Sequence, residues 1–212
     1  MAADHADEWH REMLSADQHQ ALLISDQILR GTGCFIAGGT ALALRFGHRR
    51  SRDIDWFTTT DMDYLGLAAA FARQPGVTVI HAEPGTIHAE IGPIPVSVIR
   101  YRYPADAPDH LDSIPLASVR TAVGMKLLAI VNRGYKRDFI DVAEIMRHGT
   151  PLDRMISWAT ADLPGMTAES ILRSLAWRGD ADLQPEPEGV SPADWLRALT
   201  EVDEAIRRVI AR

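Results

Sequence analysis

Asp53 and Asp55 stand two residues apart in a segment, Ser51 to Thr58, that reads as a strand (Asp-Ile-Asp-Trp-Phe-Thr over its last six positions). Side chains alternate faces along a strand, so both carboxylates are expected on one face, with Ile54 and Trp56 turned into the core. Aspartate is depleted in strands, and two on one face need a reason. Adjacent carboxylates repel each other, and a divalent cation between them removes the conflict. Hard oxygen ligands suit Mg²⁺ or Mn²⁺. A dozen residues upstream, the apolar run Cys34 to Ala37 ends in Gly38-Gly39-Thr40, and Thr40 to Phe46 reads as a helix starting at that turn. A Gly-Gly turn opening a helix offers bare backbone N–H groups to a phosphate. Taken alone, Gly-Gly is commonly a plain turn, and an acidic strand can be a solvated edge. Found together at this spacing, they read as equipment for handling a nucleoside triphosphate.

The remaining composition sets bounds. The chain has 212 residues, 46% of them hydrophobic, enough for a sizeable core in one domain or in a core with a helical appendage. Cys34 is the single cysteine, which excludes an intramolecular disulfide and a cysteine zinc site and fits a reducing cytoplasm. The first residues are polar and acidic, unlike a secretory leader, and the apolar run from Met125 to Val131 is too short to span a bilayer. The net charge of −7 argues against a sequence-blind nucleic-acid coat. The cations nonetheless gather locally: Arg45, His48, Arg49, Arg50 and Arg52 near the first motif, and Lys126, Arg133, Lys136 and Arg137 near a second.

Periodicity predicts a helix over residues 7–30, stopped by Gly31-Thr32-Gly33, and another over Asp63 to Gln74. Val77 to His81, Ile87 to Ile91 and Val96 to Tyr101 read as strands of an antiparallel meander, separated by Pro84-Gly85 and Gly92-Pro93. Leu116 to Asn132 and Arg137 to Arg147 read as helices, the second with Gly149 just past its end. Further helix is expected around Ile171 to Trp177. A Pro-rich stretch separates it from a final amphipathic helix, Pro192 to Ile210. The order describes an α+β protein: a small mixed sheet with helices, then a helical C-terminal half. The division expected is 1–115 for the core with its N-terminal helix and 116–212 for the helical region that completes a cleft.

Lys126 lies within the apolar face Val123, Leu127, Ile130 and Val131, so it either snorkels outward or aims at a phosphate. Asp138 and Asp141 share a helix face directly after Lys136 and Arg137, which also suits a capped, salt-bridged helix start. The eight histidines are scattered and read as surface or core residues. Walker, Gly-x-Gly-x-x-Gly and Gly-x-Ser-x-Gly motifs are absent from the sequence.

The run Phe35-Ile-Ala-Gly-Gly-Thr-Ala-Leu-Ala-Leu-Arg-Phe-Gly-His-Arg-Arg-Ser-Arg-Asp-Ile-Asp-Trp-Phe-Thr58 closely resembles the first motif of the AbiEii-type nucleotidyltransferases, toxins of abortive-infection and type IV toxin–antitoxin systems. Lys126 to Asp141, a lysine helix followed by Arg-x-x-Lys-Arg-Asp-x-x-Asp, resembles the family's later motifs, and Ser174 to Asp182 a degenerate form of its C-terminal segment. The resemblance implies a polymerase-β-like nucleotidyltransferase fold and transfer of NMP from an NTP to an acceptor hydroxyl, on RNA such as a tRNA 3′ end or on protein. By implication Gly38, Gly39 and Thr40, with Ser51, Arg52 and Arg137, bind the NTP. Asp53 and Asp55 hold Mg²⁺ or Mn²⁺, Lys126 and Asp138 are catalytic, and Asp141 supports them. A cognate antitoxin is the implied protein partner, and no membrane is involved.

The sequence departs from that pattern at one point. Polymerase-β-like enzymes carry a third acid on a later strand; here the strand is Pro95 to Arg100, and Ser97 occupies the expected position. Asp138 is the expected substitute, with Glu90 the nearest spare acid on the preceding strand. Two other readings stand beside this one: a non-catalytic binding module with a degraded site, and kinase-like phosphate transfer to serine or threonine.

Overall fold

The computed structural model describes residues 9–211. They form two compact units: the described residues up to Arg102 together with Ala107–Ala117, and Tyr103–Asp106 together with the described residues from Ser118 onward.

The first unit is built on a seven-stranded mixed sheet. Its strands are β1 (Phe35–Ala37), β2 (Ile54–Thr58), β3 (Val77–Glu83), β4 (Thr86–Ile91), β5 (Ile94–Arg100), β6 (Asp109–Leu111) and β7 (Ile114–Leu116), in the order β3-β4-β5-β2-β1-β7-β6. The expected meander forms β3, β4 and β5 as antiparallel neighbours. β2 then runs parallel to β5 and antiparallel to β1, and β1 runs parallel to β7. Helices α1 (Ala16–Leu29), α2 (Gly38–Phe46) and α3 (Tyr64–Ala72) complete the unit. Leu22, Leu29 and Phe71 of the helices share one core with Ile54, Trp56, Ile87 and Val98 of the sheet. The one polar group of Trp56 is satisfied there, its Nε1–H donating to Ser25 Oγ of α1 at 2.9 Å.

Three expectations need correction. The helix expected over 7–30 is broken: residues 7 and 8 lie outside the described residues, Arg11–Met13 is a single 3₁₀ turn, and Leu14 is extended. A new helix starts because Ser15 and Gln18 form a reciprocal capping box. The preceding segment is held by tertiary contacts, the His10 N–H on the Leu44 carbonyl at 2.7 Å and the Arg45 guanidinium over the Trp9 ring. Leu116 ends strand β7 and begins no helix; β6 and β7 are three-residue strands, too short for alternation to reveal, and Pro115 reads as a breaker. Asp53 precedes β2 and only Asp55 lies within it.

The second unit is helical: α4 (Val119–Asn132), α5 (Lys136–Arg147), α6 (Leu152–Asp162), α7 (Ala168–Ala176), a single turn α8 (Gly179–Asp182) and α9 (Pro192–Ile210). The last helix matches its expected limits because Ser191 and Asp194 make a capping box with Pro192 at the first turn. Val123, Leu127, Phe139, Ile145, Met155, Ile171, Leu175 and Val202 are fully buried among these helices. Among the described residues no helix is long and apolar enough to cross a membrane.

Candidate active site

The turn from β1 into α2 is shaped by glycine. Gly38 has φ +68, which an L side chain rarely adopts, and a Cβ there would lie 3.2 Å from Asp55 Oδ2. A Cβ on Gly39 would lie 2.8 Å from both an Arg49 guanidinium nitrogen and Ser51 Oγ. The backbone at Gly38-Gly39 is thus pressed against a carboxylate on one side and a guanidinium and a hydroxyl on the other. Ala37, the residue capping α2, offers no side-chain hydrogen bond to the helix start. The first N–H groups of α2 keep their donor character for an anion.

The flanking loop is tied into place. Ser51 Oγ donates to Asp53 Oδ1 at 3.0 Å, and Gln18 Nε2 of α1 donates to the Ser51 carbonyl at 2.7 Å. The Thr40 hydroxyl, buried, donates to the Asp53 carbonyl, so its oxygen braces the acidic loop against the helix start. Arg49 is only 3% exposed and donates to the Arg50 carbonyl at 3.0 Å. Sequence reading named Arg49 within a basic cluster and did not place it in the site; in a loop, no periodicity says which of several arginines turns inward. Arg52 is exposed. Gly38, Gly39, Thr40, Ser51, Asp53 and Asp55 are therefore brought together, with Arg49 added.

Asp55 sits opposite Ala37 on β1 and Ser97 on β5. Ser97 does occupy the neighbouring strand position beside Asp55. Its partner on the far side is His88, whose Nδ1 lies 3.1 Å from Ser97 Oγ. Glu90 faces Pro95 and is displaced along β4 by two residues from that row. Among the described residues no group of three or more His, Cys, Asp or Glu side chains is placed to hold a metal ion. Asp53 and Asp55 nonetheless suit Mg²⁺, which is commonly held by one or two carboxylates together with substrate phosphate oxygens.

The second unit contains its own charged cluster. Lys126 is buried at 5% exposure, and its Nζ lies 3.0 Å from Asp138 Oδ1 and 2.6 Å from Asp141 Oδ2, both aspartates being fully buried. Arg133 Nε donates to Asp138 Oδ2 at 3.1 Å. The Lys126 ammonium therefore does not snorkel to solvent. It is held by two carboxylates one helical turn apart on α5, which the spacing of Asp138 and Asp141 made legible. Arg133 and Arg137 lie over the Tyr135 ring at 4.8 and 5.5 Å. A cavity of about 410 Å³ is lined by Ile130, Arg133, Arg173, Ser174 and the exposed Trp177, among others.

Comparison with known proteins shows the family and the fold. Residues 65–208 match the family described as nucleotidyl transferase AbiEii toxin, type IV toxin–antitoxin system. That span begins after Asp55, so it does not include the Gly-turn or the carboxylate pair. A protein of Aquifex aeolicus (strain VF5), described as uncharacterized protein aq_aa25, is 30% identical over 168 residues, 74% of this chain and 82% of that protein. Among solved structures, MenT4, a nucleotidyltransferase toxin of Mycobacterium tuberculosis H37Rv, shares the fold with a TM-score of 0.59 at 18% identity, covering 90% of this chain and 85% of that one. The antibiotic-resistance factor ANT(2'')-Ia does so with a TM-score of 0.51 at 14% identity, covering 68% and 91%.

Proposed function

Because the chain belongs to the AbiEii family of nucleotidyltransferase toxins, we propose that it transfers NMP from a Mg²⁺-bound NTP to a hydroxyl on RNA, a tRNA 3′ end being the intended type of acceptor. The observation that carries this reading is the Gly38-Gly39 turn, pressed between Asp55 and the Arg49–Ser51 pair at the uncapped start of α2. Backbone N–H groups there hold phosphate oxygens, and the Arg49 guanidinium beside Gly39 adds positive charge to the cradle. Ser51 fixes the rotamer of Asp53 through its hydrogen bond. Asp53 and Asp55 hold Mg²⁺, which supplies Lewis-acid withdrawal of charge from the phosphoryl oxygens when bound. The acceptor oxygen attacks the α-phosphorus, the bond from that phosphorus to the bridging oxygen breaks, and pyrophosphate leaves. Most of the rate in such a transfer comes from positioning and charge stabilisation. The family resemblance assigns Lys126 as catalytic and Arg137 as an NTP ligand; within the second unit the Lys126 ammonium is held by Asp138 and Asp141. RNA is favoured over protein as acceptor because Arg133, Tyr135 and Arg137 stack cations on an exposed ring, a surface suited to bases and phosphates. The family implies a cognate antitoxin as partner, and the single buried cysteine is in keeping with a cytoplasmic setting.

The test is incubation with α- and γ-labelled NTPs, Mg²⁺ or Mn²⁺, total tRNA and cell extract. Label from the α position on RNA supports the proposal. Label on protein moves the acceptor, label only from γ means kinase-like transfer, and binding without label means a binding module. Asp53→Asn and Asp55→Asn should each abolish transfer and leave the thermal midpoint within a few degrees.

A further inference from the structure

The cross-strand row that begins at the Gly-turn continues past the carboxylate. In register, Ala37 of β1 is followed by Asp55 of β2, Ser97 of β5, His88 of β4 and His81 of β3. Side chains at directly opposed positions share a face, and that face is set by Ile54, Trp56, Val96 and Val98 being buried on the other side. Asp55, Ser97 and His88 therefore line one surface. His88 is exposed, and its ring reaches back one strand to put Nδ1 3.1 Å from Ser97 Oγ. The His81 ring stacks on it with centroids 6.3 Å apart and planes at 27°. A hydrogen bond on one side and a stacked ring on the other fix the imidazole beside Ser97, the position at which the family resemblance implies an acid.

We infer that His88 is the general base of the transfer, with Ser97 as its positioning residue. This rests on the nucleotidyl-transfer reading above. In the tautomer that donates Nδ1–H to Ser97 Oγ, the Nε2 lone pair accepts the proton of the acceptor hydroxyl. The oxygen so freed forms the bond to the α-phosphorus as the bond to the bridging oxygen of pyrophosphate breaks. The proton then passes from Nε2 to solvent. A serine hydroxyl cannot take that proton at neutral pH, whereas histidine is the side chain most often used for it. Asp138, fully buried and bonded to Lys126 and Arg133, is occupied as an ion-pair partner. Glu90 lies outside the row, opposite Pro95. His88 is thus the titratable group of that row, directly opposite Ser97 on β4, that supplies the base.

The experiment measures α-label transfer to total tRNA and cell extract by full-length wild type and by His88→Gln, His88→Ala, Ser97→Ala and Glu90→Gln, each checked for thermal midpoint and for binding of a fluorescent NTP. Removing a general base costs roughly 10² to 10⁴ in rate. His88→Gln and His88→Ala should fall by about 10² or more in kcat with unchanged midpoint and NTP affinity. Added imidazole should restore part of the rate to His88→Ala, which a merely structural role would not permit. Ser97→Ala should lose about tenfold or less, since the base remains but is less well aimed, and Glu90→Gln should keep its rate. A His88→Gln variant within about threefold of a working wild type overturns the assignment alone, since general-base removal costs far more. So does a loss at His88 that imidazole cannot rescue and that tracks a fallen midpoint, or a large loss at Glu90 in its place. A wild type that transfers no α-label overturns the transfer reading and the base assignment together.

Discussion

At the scale of the residue, Gly39 shows how little room the phosphate cradle leaves. A methyl group there meets the Arg49 guanidinium and Ser51 Oγ at 2.8 Å. Gly39→Ala should therefore displace Arg49, Ser51 or the turn itself, raising the KM for NTP by about tenfold or more, a loss equal to about 1.4 kcal/mol of binding. Circular dichroism should remain that of the wild type, because the clash involves side-chain ends. Lys126 poses the opposite case, a charge with no solvent to fall back on. Lys126→Met removes the ammonium from the buried Asp138 and Asp141 carboxylates, while Arg133 stays at 3.1 Å from Asp138. Breaking a buried pair by removing one partner costs about 3–5 kcal/mol. Lys126→Met should thus lower both stability and activity. The double variant Lys126→Met, Asp141→Asn should recover much of the midpoint in a thermal melt but none of the transfer, which separates the ion pair's structural role from its chemistry. Cys34 is buried, and burial pushes its thiol pKa up against the opposing hydrogen bonds of Thr32 and Thr58. The native protein should resist iodoacetamide at neutral pH, and mass spectrometry of the intact chain reads this directly. The sign for stability follows: the contribution is fully present below the unfolded thiol's pKa and is lost as pH rises through the raised folded value.

At the scale of the element, caps decide where helices begin more than composition does. The chain before Ala16 has apolar residues at helical spacing, yet the helix starts only after Ser15. Ser15 Oγ accepts from the Gln18 N–H at 3.1 Å, and Gln18 Oε1 accepts from the Ser15 N–H at 2.9 Å. Gln18 also holds the Ser51 carbonyl through Nε2, so the cap of α1 and the acidic loop share one side chain. Ser15→Ala should cost about 1 kcal/mol. That is a fall of roughly 2–4 °C in the midpoint for a chain of this size, measured by thermal melt. Gln18 has a buried position and two partners, so its loss reaches the site, whereas the loss of Ser15 should leave transfer at low temperature unchanged. In the second unit Arg147 ties α5 to α9, with Nε donating to Glu201 at 3.1 Å while its other arm reaches Glu144.

At the scale of the whole molecule, the sheet's order matters more than any single strand. β2 lies between β1 and β5, so the Gly-turn at the end of β1 and the Ser97 position on β5 flank Asp55 from either side. On the proposed reading Asp53 and Asp55 would hold Mg²⁺ together with substrate phosphate oxygens, as such ions are commonly held by one or two carboxylates. Chelation with EDTA should therefore stop transfer completely, with recovery on adding Mg²⁺ or Mn²⁺. On that reading the thermal midpoint without NTP should shift by less than about 2 °C. A large EDTA-induced drop in the midpoint would mean that a structural metal site exists instead.

The sequence by itself determined the α+β class, the meander and the last helix. Each rests on local chemistry: alternation, caps and turn residues. The Gly-turn into α2 was legible for the same reason, local turn chemistry, whereas alternation placed Asp53 in a strand that begins only at Ile54. Asp138 and Asp141 were legible as a pair for the same reason, since helix spacing fixes which side chains share a face. Only the tertiary structure decided that β2 runs parallel to β5, that Pro115 and Leu116 belong to a strand, and that the segment before Ser15 is held by Leu44 and Arg45. It alone buried Arg49 behind Gly39 and laid His88 beside Ser97, nine residues away along the chain and across a turn. Strand register and loop burial depend on contacts between residues distant in sequence, and a one-residue slip would have moved His88 to the opposite face.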